Sequence, residues 1–226
     1  MDTSRIRFIA IDADDTLWDC QSYFDAATEV FKETLAPHAP PEETAAELVR
    51  RELANMEALG FGGKAFTISL LETALHFGAN AAEIGIILRA GRSVIDLPAT
   101  PMEGVVETLR ALRGRYRLVL FTKGDLQEQA AKIRRSGLRP FFDDTVIVTD
   151  KDEEAYRRLC ADAGFAPEEF LMVGNSFRSD IDPVLRIGGS GIHIPFHLSW
   201  AFEETEEYDH PRLVRVATFR EILDCL

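Results

Sequence analysis

The sequence is poor in cysteine and has no long apolar run. Three cysteines, Cys20, Cys160 and Cys225, occur among 226 residues, and no pair has the Cys-x-x-Cys spacing of a zinc or redox site. An odd number of scattered cysteines favours reduced thiols over a disulfide framework. No apolar stretch approaches the ~20 residues that span a membrane, and Asp12 interrupts the first one too early for a signal peptide. These absences predict a cytoplasmic protein that has no membrane partner.

Positive charge is also scarce. The chain has 25 Lys and Arg residues against 38 Asp and Glu residues, which gives a net charge of −13 and a pI near 4.9. This balance disfavours nucleic acids and anionic membranes as partners. It also means that an anionic substrate needs local cations, for which Lys123 and Lys151 are candidates. The apolar content of 46% suffices for one large core, or for a core and a smaller accessory domain.

The first apolar segment ends in two carboxylates. Residues 6–11 are typical of a strand buried on both faces, and Asp12 and Asp14 follow it. In open α/β sheets, ligands bind beyond the carboxyl ends of the strands. Two carboxylates two residues apart repel each other, so the pair requires either a divalent cation or one protonated carboxyl. Both requirements indicate a functional site, and a solvated acidic turn is the alternative.

Four later segments repeat this arrangement of an apolar strand followed by polar residues. Amphipathic helical segments, such as 129–136 and 152–163, separate these strands, which cover residues 117–124, 145–149, 170–176 and 191–195. Alternating strands and helices predict an α/β fold with a parallel sheet. Because the carboxyl ends of such strands meet at one edge, we expect one crevice to collect the polar residues Asp12, Asp14, Thr122, Lys151, Asn175 and Asp180.

In order and character, these residues resemble the four signature motifs of the haloacid dehalogenase-like (HAD) hydrolase superfamily. The resemblance extends from Asp12 to Asp180. It includes Asp-x-Asp-x-Thr, a Thr after a strand, a Lys before a helix, and a final Gly-Asp-x-x-x-x-Asp pattern. One position departs from the family, because Asn175 stands where an Asp is usual. The resemblance implies a Rossmann-like parallel-sheet core and a hydrolase activity.

The chemistry of these residues suits phosphoryl transfer. A carboxylate can act as a covalent nucleophile, and we expect Asp12 to form an aspartyl-phosphate. A second carboxylate can protonate the leaving alkoxide and then deprotonate the attacking water, a role that suits Asp14. Lys151 would neutralise charge in the transition state, and the end of the second strand would bind the phosphoryl group. The predicted substrate-binding residues at that strand end are Thr122, Lys123 and Gly124.

A phosphate monoester and the Asp12 carboxylate are both anionic, so they repel each other without a counter-cation. We therefore predict Mg²⁺ as the cofactor. The resemblance implies metal ligands from Asp12, the backbone carbonyl of Asp14, and the pair Asn175 and Asp180. Because Asn carries no charge, we expect Asn175 to weaken the metal site relative to an Asp.

The segment between the first two motifs differs from the rest of the chain. Residues 19–98 show helical periodicity only and predict a four-helix insertion, which resembles the C1-type helical cap of the family. Residues 1–18 and 99–226 would form the catalytic core. The glycine-rich stretch 60–64 joins two predicted helices and resembles the substrate-specificity loop of such caps, so Lys64 is a predicted substrate-binding residue. The alternative for the whole segment is a helical layer of the core. The alternative for Lys64 is a solvated lysine on a surface connection.

The sequence leaves three functional interpretations open. The dehalogenase branch of the family displaces halide and has no acid at the place of Asp14, so Asp14 favours a phosphatase that acts on a small-molecule phosphate ester. A phospho-accepting receiver module also combines an acidic pair, a Thr and a Lys, but it needs no cap and carries its acceptor on a middle strand. A non-catalytic binder on the same scaffold is supported by Asn175 alone.

Overall fold

A parallel β-sheet forms the centre of the first of two compact units. The computed structural model describes residues 1–197, 203 and 205–226. The strands pair in parallel in the order β3-β2-β1-β4-β5-β6. They are β1 (Phe8–Ile11), β2 (Arg117–Lys123), β3 (Asp144–Val148), β4 (Phe170–Gly174), β5 (Ser190–His193) and β6 (Leu213–Arg215). The predicted α/β fold with a Rossmann-like sheet is confirmed, and β6 is a strand that the sequence pattern did not predict.

The central strand β1 lies between β2 and β4, which aligns the carboxyl ends of the three strands. Ile11 pairs with Leu120 of β2 and with Val173 of β4. The backbone N–H of Asp12 continues this ladder by donating to the carbonyl of Val173 over 2.9 Å. Every residue of β1 is buried, as expected for a strand covered on both faces. The polar residues that follow the three strands therefore leave the sheet side by side.

Helices connect the strands of this first unit, which comprises Met1–Asp19, Ala99–Lys123 and Gln129–Leu226. A π-helical turn, Phe177–Ile181, follows β4 and leads into the next helix. The helices are α5 (Val105–Leu112), α6 (Leu126–Ser136), α7 (Glu153–Ala163), α8 (Asp182–Ile187) and α9 (Ile222–Cys225). The first residues of α6 group with the second unit.

One face of the sheet packs on α7 through aromatic side chains. Phe121 and Phe170 are fully buried beside Tyr156 of this helix, and the ring centroids of Phe121 and Tyr156 lie 5.1 Å apart. Asp152 caps the start of this helix, and its carboxylate accepts a backbone hydrogen bond from the first turn over 2.8 Å. This cap fixes the start of α7 directly after Lys151, which is thereby held at the same sheet edge as β1.

The second unit, Cys20–Pro98 together with Gly124–Glu128, is helical. Four helices occupy the segment in which the sequence predicts four: α1 (Gln21–Leu35), α2 (Pro41–Leu59), α3 (Gly63–His76) and α4 (Ala81–Ile95). Their fully buried core includes Phe31, Leu35, Leu70 and Ile87. Helices α3 and α4 approach closely at Gly91, where a Cβ would lie 2.4 Å from Thr67 Oγ1. Within the described part of the chain, no helix combines the length and apolarity that a membrane span requires.

Candidate active site

A buried lysine joins two predicted acidic residues at the edge of the sheet. The Lys151 ammonium donates to Asp12 Oδ1 over 2.5 Å and to Asp180 Oδ1 over 2.7 Å. Only 2% of the Lys151 side chain is exposed. The three residues come from the segment directly after β1, from the segment after β3 and from the π-helical turn after β4. The structure therefore brings together the predicted nucleophile, the predicted cation and one predicted metal ligand.

The negative charges of this cluster outnumber the positive ones, because one ammonium contacts two carboxylates. Burial raises the pKa of Asp12 to about 7, since the attraction of Lys151 only partly offsets burial and the nearby charge of Asp180 adds to it. Burial alone would lower the pKa of Lys151, but the two carboxylates outweigh burial and raise it above its usual range. Lys151 is thus firmly cationic, while Asp12 lies in a place where a further cation would be favourable.

Asp12 and Asn175 meet at the hydroxyl of Thr16. Thr16 Oγ1 lies 3.1 Å from Asp12 Oδ2 and 3.1 Å from Asn175 Oδ1. One carboxylate oxygen and one amide oxygen on neighbouring strand ends are hard donors of the kind that Mg²⁺ binds. The described residues contain no group of three His, Cys, Asp or Glu side chains placed to hold a metal ion. The residues still fit Mg²⁺, because the predicted ligand set includes an amide and a backbone carbonyl.

Both oxygens of Asp180 are engaged within the protein. Oδ1 accepts from Lys151, and Oδ2 accepts from the backbone N–H of Ser176 over 3.0 Å. The absence of a side chain at Gly174 leaves room for the Asp180 carboxylate, since a Cβ at Gly174 would lie 2.2 Å from Asp180 Oδ2. Asp180, predicted as a metal ligand, therefore orients Lys151.

Asp14 is held by three donors. Trp18 Nε1 donates to Oδ1 over 2.7 Å, whereas Lys132 Nζ and Gln129 Nε2 donate to Oδ2 over 2.7 and 2.9 Å. Burial opposes ionisation here, but the Lys132 charge and the hydrogen bonds outweigh it and lower the pKa of Asp14. The turn that brings Trp18 back to Asp14 contains Asp15 in the left-handed region, at φ +61°.

Gln129 also connects Asp14 with the predicted phosphate-binding strand end. Its Nε2 lies 2.8 Å from Thr122 Oγ1 and 2.8 Å from the carbonyl oxygen of Lys123. Gln129 and Lys132 are site residues that the sequence motifs do not predict. Their spacing of three places them on one face of α6, and a polar pair on the buried face of an amphipathic helix is the signal that could have revealed them.

Lys123 is paired with a carboxylate that the sequence analysis also missed. Its ammonium contacts Glu203 and lies 2.9 Å from Ser179 Oγ. The Ser176 and Ser179 hydroxyls donate to the same Glu203 carboxylate. Burial opposes ionisation of Glu203, but Lys123 and these hydrogen bonds lower its pKa. An anionic substrate that uses Lys123 would therefore have to share it with Glu203.

Lys64 and Gly124, the other predicted substrate-binding residues, belong to the second unit. Gly124 has a φ of +134°, which a residue with a side chain rarely adopts. The Lys64 ammonium pairs with Asp125 over 2.7 Å, and 43% of its side chain is exposed. Glu128 accepts the backbone N–H groups of Gly63 and Lys64 over 2.8 Å each, which fixes the start of α3.

A family model and a solved structure that resemble this chain are both described as haloacid dehalogenase-like hydrolases. A family model described as a haloacid dehalogenase-like hydrolase matches residues 6–188. The crystal structure of a haloacid dehalogenase-like family hydrolase from Xanthomonas campestris is 33% identical, with a TM-score of 0.87 over 100% of this chain and 93% of that one.

Two curated relatives are named as phosphatases. N-acylneuraminate-9-phosphatase of Rattus norvegicus is 33% identical over 38% of this chain and 37% of its own length. Glyceraldehyde 3-phosphate phosphatase of Methanothermobacter thermautotrophicus is 32% identical over 49% of each chain. The matches thus span less than half the length of these relatives. The family model covers most of the chain, and the motif residues that it includes meet at one sheet edge: the chain belongs to the haloacid dehalogenase-like hydrolase family.

Proposed function

We propose that the protein is a Mg²⁺-dependent phosphatase that hydrolyses a small-molecule phosphate monoester through an aspartyl-phosphate on Asp12. The observation that carries the proposal is the arrangement of Asp14. A second carboxylate, half-buried and fixed by three donors, follows the nucleophile on the same strand end. Phosphate esters need such a group for their alkoxide leaving group, whereas halide release does not. The names of the curated relatives support the same reaction class.

In the first step, an Asp12 oxygen attacks phosphorus and the bond from phosphorus to the ester oxygen breaks. The leaving oxygen takes a proton from Asp14, whose lowered pKa the bound anionic phosphate would have to raise so that the carboxyl carries this proton. Lys151 stabilises the charge of the transferring phosphoryl group, and the Thr122 hydroxyl donates to one of its oxygens. In the second step, Asp14 removes a proton from water and the water oxygen attacks phosphorus. The bond between the Asp12 oxygen and phosphorus then breaks, which regenerates the Asp12 carboxylate and frees inorganic phosphate.

The same residues hold the cofactor in this proposal. Mg²⁺ bound to oxygens of Asp12, Asn175 and the Asp14 backbone carbonyl would offset the repulsion between the Asp12 carboxylate and the anionic phosphate. The raised pKa of Asp12 supports a cation at this place. Asp180 would complete the site by orienting Lys151.

The second unit has a separate role in the proposal. We infer that its four helices act as a cap domain and that Lys64 contributes to substrate choice. The net charge of −13 supports a small molecule rather than nucleic acid as the substrate, and we expect the protein to be cytoplasmic.

The test is turnover by the purified chain of an aryl phosphate and a panel of phosphate monoesters, with Mg²⁺ or with EDTA. We expect activity with Mg²⁺ only, and we expect Asp12→Asn to abolish both turnover and the acid-stable phosphoprotein trapped from wild type. Halide release from a 2-haloacid, without phosphatase activity, would instead establish the dehalogenase alternative. An absence of turnover in both assays would favour a non-catalytic or receiver-like phospho-binding protein.

A further inference from the structure

Three hydrogen-bond donors of the first unit converge on one carboxylate at the catalytic edge. The Lys123 ammonium and the hydroxyls of Ser176 and Ser179 all contact Glu203, the last over 2.7 Å. Only 17% of the Glu203 side chain is exposed. An ammonium and two hydroxyls that surround one carboxylate are the groups with which proteins bind an anion. The three donors thus form an anion-binding site that is filled by the protein itself.

This site lies directly beside the residues proposed for catalysis. Each of its donors is a neighbour in sequence of a predicted site residue: Lys123 follows Thr122, Ser176 follows Asn175, and Ser179 precedes Asp180. The donors therefore occupy the same strand ends as the catalytic groups. An anion bound to them would be adjacent to a phosphoryl group on Asp12.

The Glu203 carboxylate changes the net charge of this edge of the sheet. Among the described residues, three lysines of this edge face four carboxylates, with Lys151 between Asp12 and Asp180, Lys132 on Asp14, and Lys123 on Glu203. With every group ionised, the local charge is −1. Without Glu203 the charge of these groups would be zero, which would favour an external anion at the place of its carboxylate.

We propose that Lys123, Ser176 and Ser179 form an anion subsite, and that Glu203 is a specificity-determining residue because it occupies this subsite. The subsite suits a carboxylate or an oxyanion of the size of sulfate. Glu203 excludes from it a second anionic group on a phosphate ester. The consequence for substrate choice rests on the proposed phosphatase function, whereas the binding of an anion by the subsite does not.

The first experiment measures anion binding without turnover. Wild type, Glu203→Ala and the matched control Glu206→Ala are titrated with sodium sulfate and with acetate in EDTA at constant ionic strength, and thermal unfolding reports the binding. Glu206 is an exposed acid three residues from Glu203. We expect E203A to bind sulfate at least tenfold more tightly than wild type or E206A, and acetate to restore part of its lost thermal stability.

Two further variants identify the place of binding. Adding Lys123→Met to E203A should remove the increase in sulfate affinity. Glu203→Gln should show a smaller increase than E203A, because its amide still fills the subsite. Equal anion dependence in wild type, E203A and E206A would overturn the proposal. A gain that persists in the double variant would also overturn it, since the anion would then bind elsewhere. If E203A fails to fold even with acetate, E203Q decides by the same comparison.

The activity arm separates this proposal from the proposed function. With Mg²⁺ present, E203A should lower the KM for a phosphate ester that carries a carboxylate by about tenfold, and it should change the KM for an aryl phosphate less. Inactivity of wild type on every ester would count against the phosphatase proposal alone. Unchanged anion binding would count against the subsite alone.

Discussion

Replacing Asp12 with Asn should make the stability of the protein in EDTA less sensitive to alkaline pH while it removes activity. Burial and the neighbouring Asp180 raise the pKa of Asp12 from 3.8 to about 7 despite the attraction of Lys151. The native state therefore binds this proton more tightly than the unfolded chain does. The stability from this group is fully present below about pH 4 and is lost as the pH rises through the native pKa.

The linkage between pKa and stability sets the size of the effect. The two pKa values differ by about three, which corresponds to a total loss of roughly 4 kcal/mol in the free energy of unfolding. Between pH 5 and pH 8, the loss amounts to roughly 2–3 kcal/mol. The D12N amide does not titrate, and Lys151 keeps its contact with Asp180 in this variant. The difference in unfolding free energy between D12N and wild type should therefore grow by that amount.

Urea denaturation in EDTA at pH 5, 6.5 and 8, followed by circular dichroism, measures this difference. Asp162→Asn is the matched control, because Asp162 is exposed and its replacement should leave the pH dependence unchanged. A D12N advantage that is the same at all three pH values would refute the reasoning, since it would show that Asp12 titrates alike in the native and unfolded states.

Four further predictions follow from the site. Lys151→Met should lower the free energy of unfolding by ~3–5 kcal/mol in urea titrations, because it leaves two buried carboxylates without their cation; no loss would exclude the ion-pair cluster. Lys132→Met should raise the pKa of Asp14 and move the corresponding limb of the kcat/KM pH profile upward, whereas an unchanged profile would contradict the contact. Asn175→Asp should tighten Mg²⁺ by ~1–2 kcal/mol, as read from calorimetry, unless Asn175 lies outside the ligand set. Lys64→Ala should raise the KM for the preferred substrate and leave the KM for a small aryl phosphate unchanged. Equal effects on both KM values would show that Lys64 does not determine substrate choice.

The sequence predicted the centre of the site because two regularities combine there. Apolar runs located the strands, and parallel pairing places their carboxyl ends at one edge, so Asp12, Lys151 and Asp180 had to lie close together. The motif order then gave each residue a role. Neither regularity depends on the identity of distant side chains, which is why the proximity of these residues could be predicted.

The partners of the other cations could not be predicted in the same way. Lys123 meets Glu203, which is 80 residues away in sequence, and Lys64 meets Asp125, which is 61 away. No periodicity or spacing connects such pairs, since only the folded backbone brings them together. Lys132 was missed for a different reason: a lysine on an amphipathic helix is usually solvated, but here the side chain is buried and its ammonium reaches inward to the Asp14 carboxylate.

Asn175 is better suited than Asp to the metal-free state of this site. The Thr16 hydroxyl has a single proton but lies 3.1 Å from oxygens of both Asp12 and Asn175. An amide can turn its NH₂ group toward Thr16 and leave that proton to Asp12, whereas a carboxylate cannot. An Asp would also add a fifth carboxylate opposite three ammonium groups, whose cost only a bound cation could offset. We therefore expect Asn175→Asp to be less stable than wild type in EDTA and more stable in excess Mg²⁺. The same order of stability in both conditions would separate this residue from the metal site.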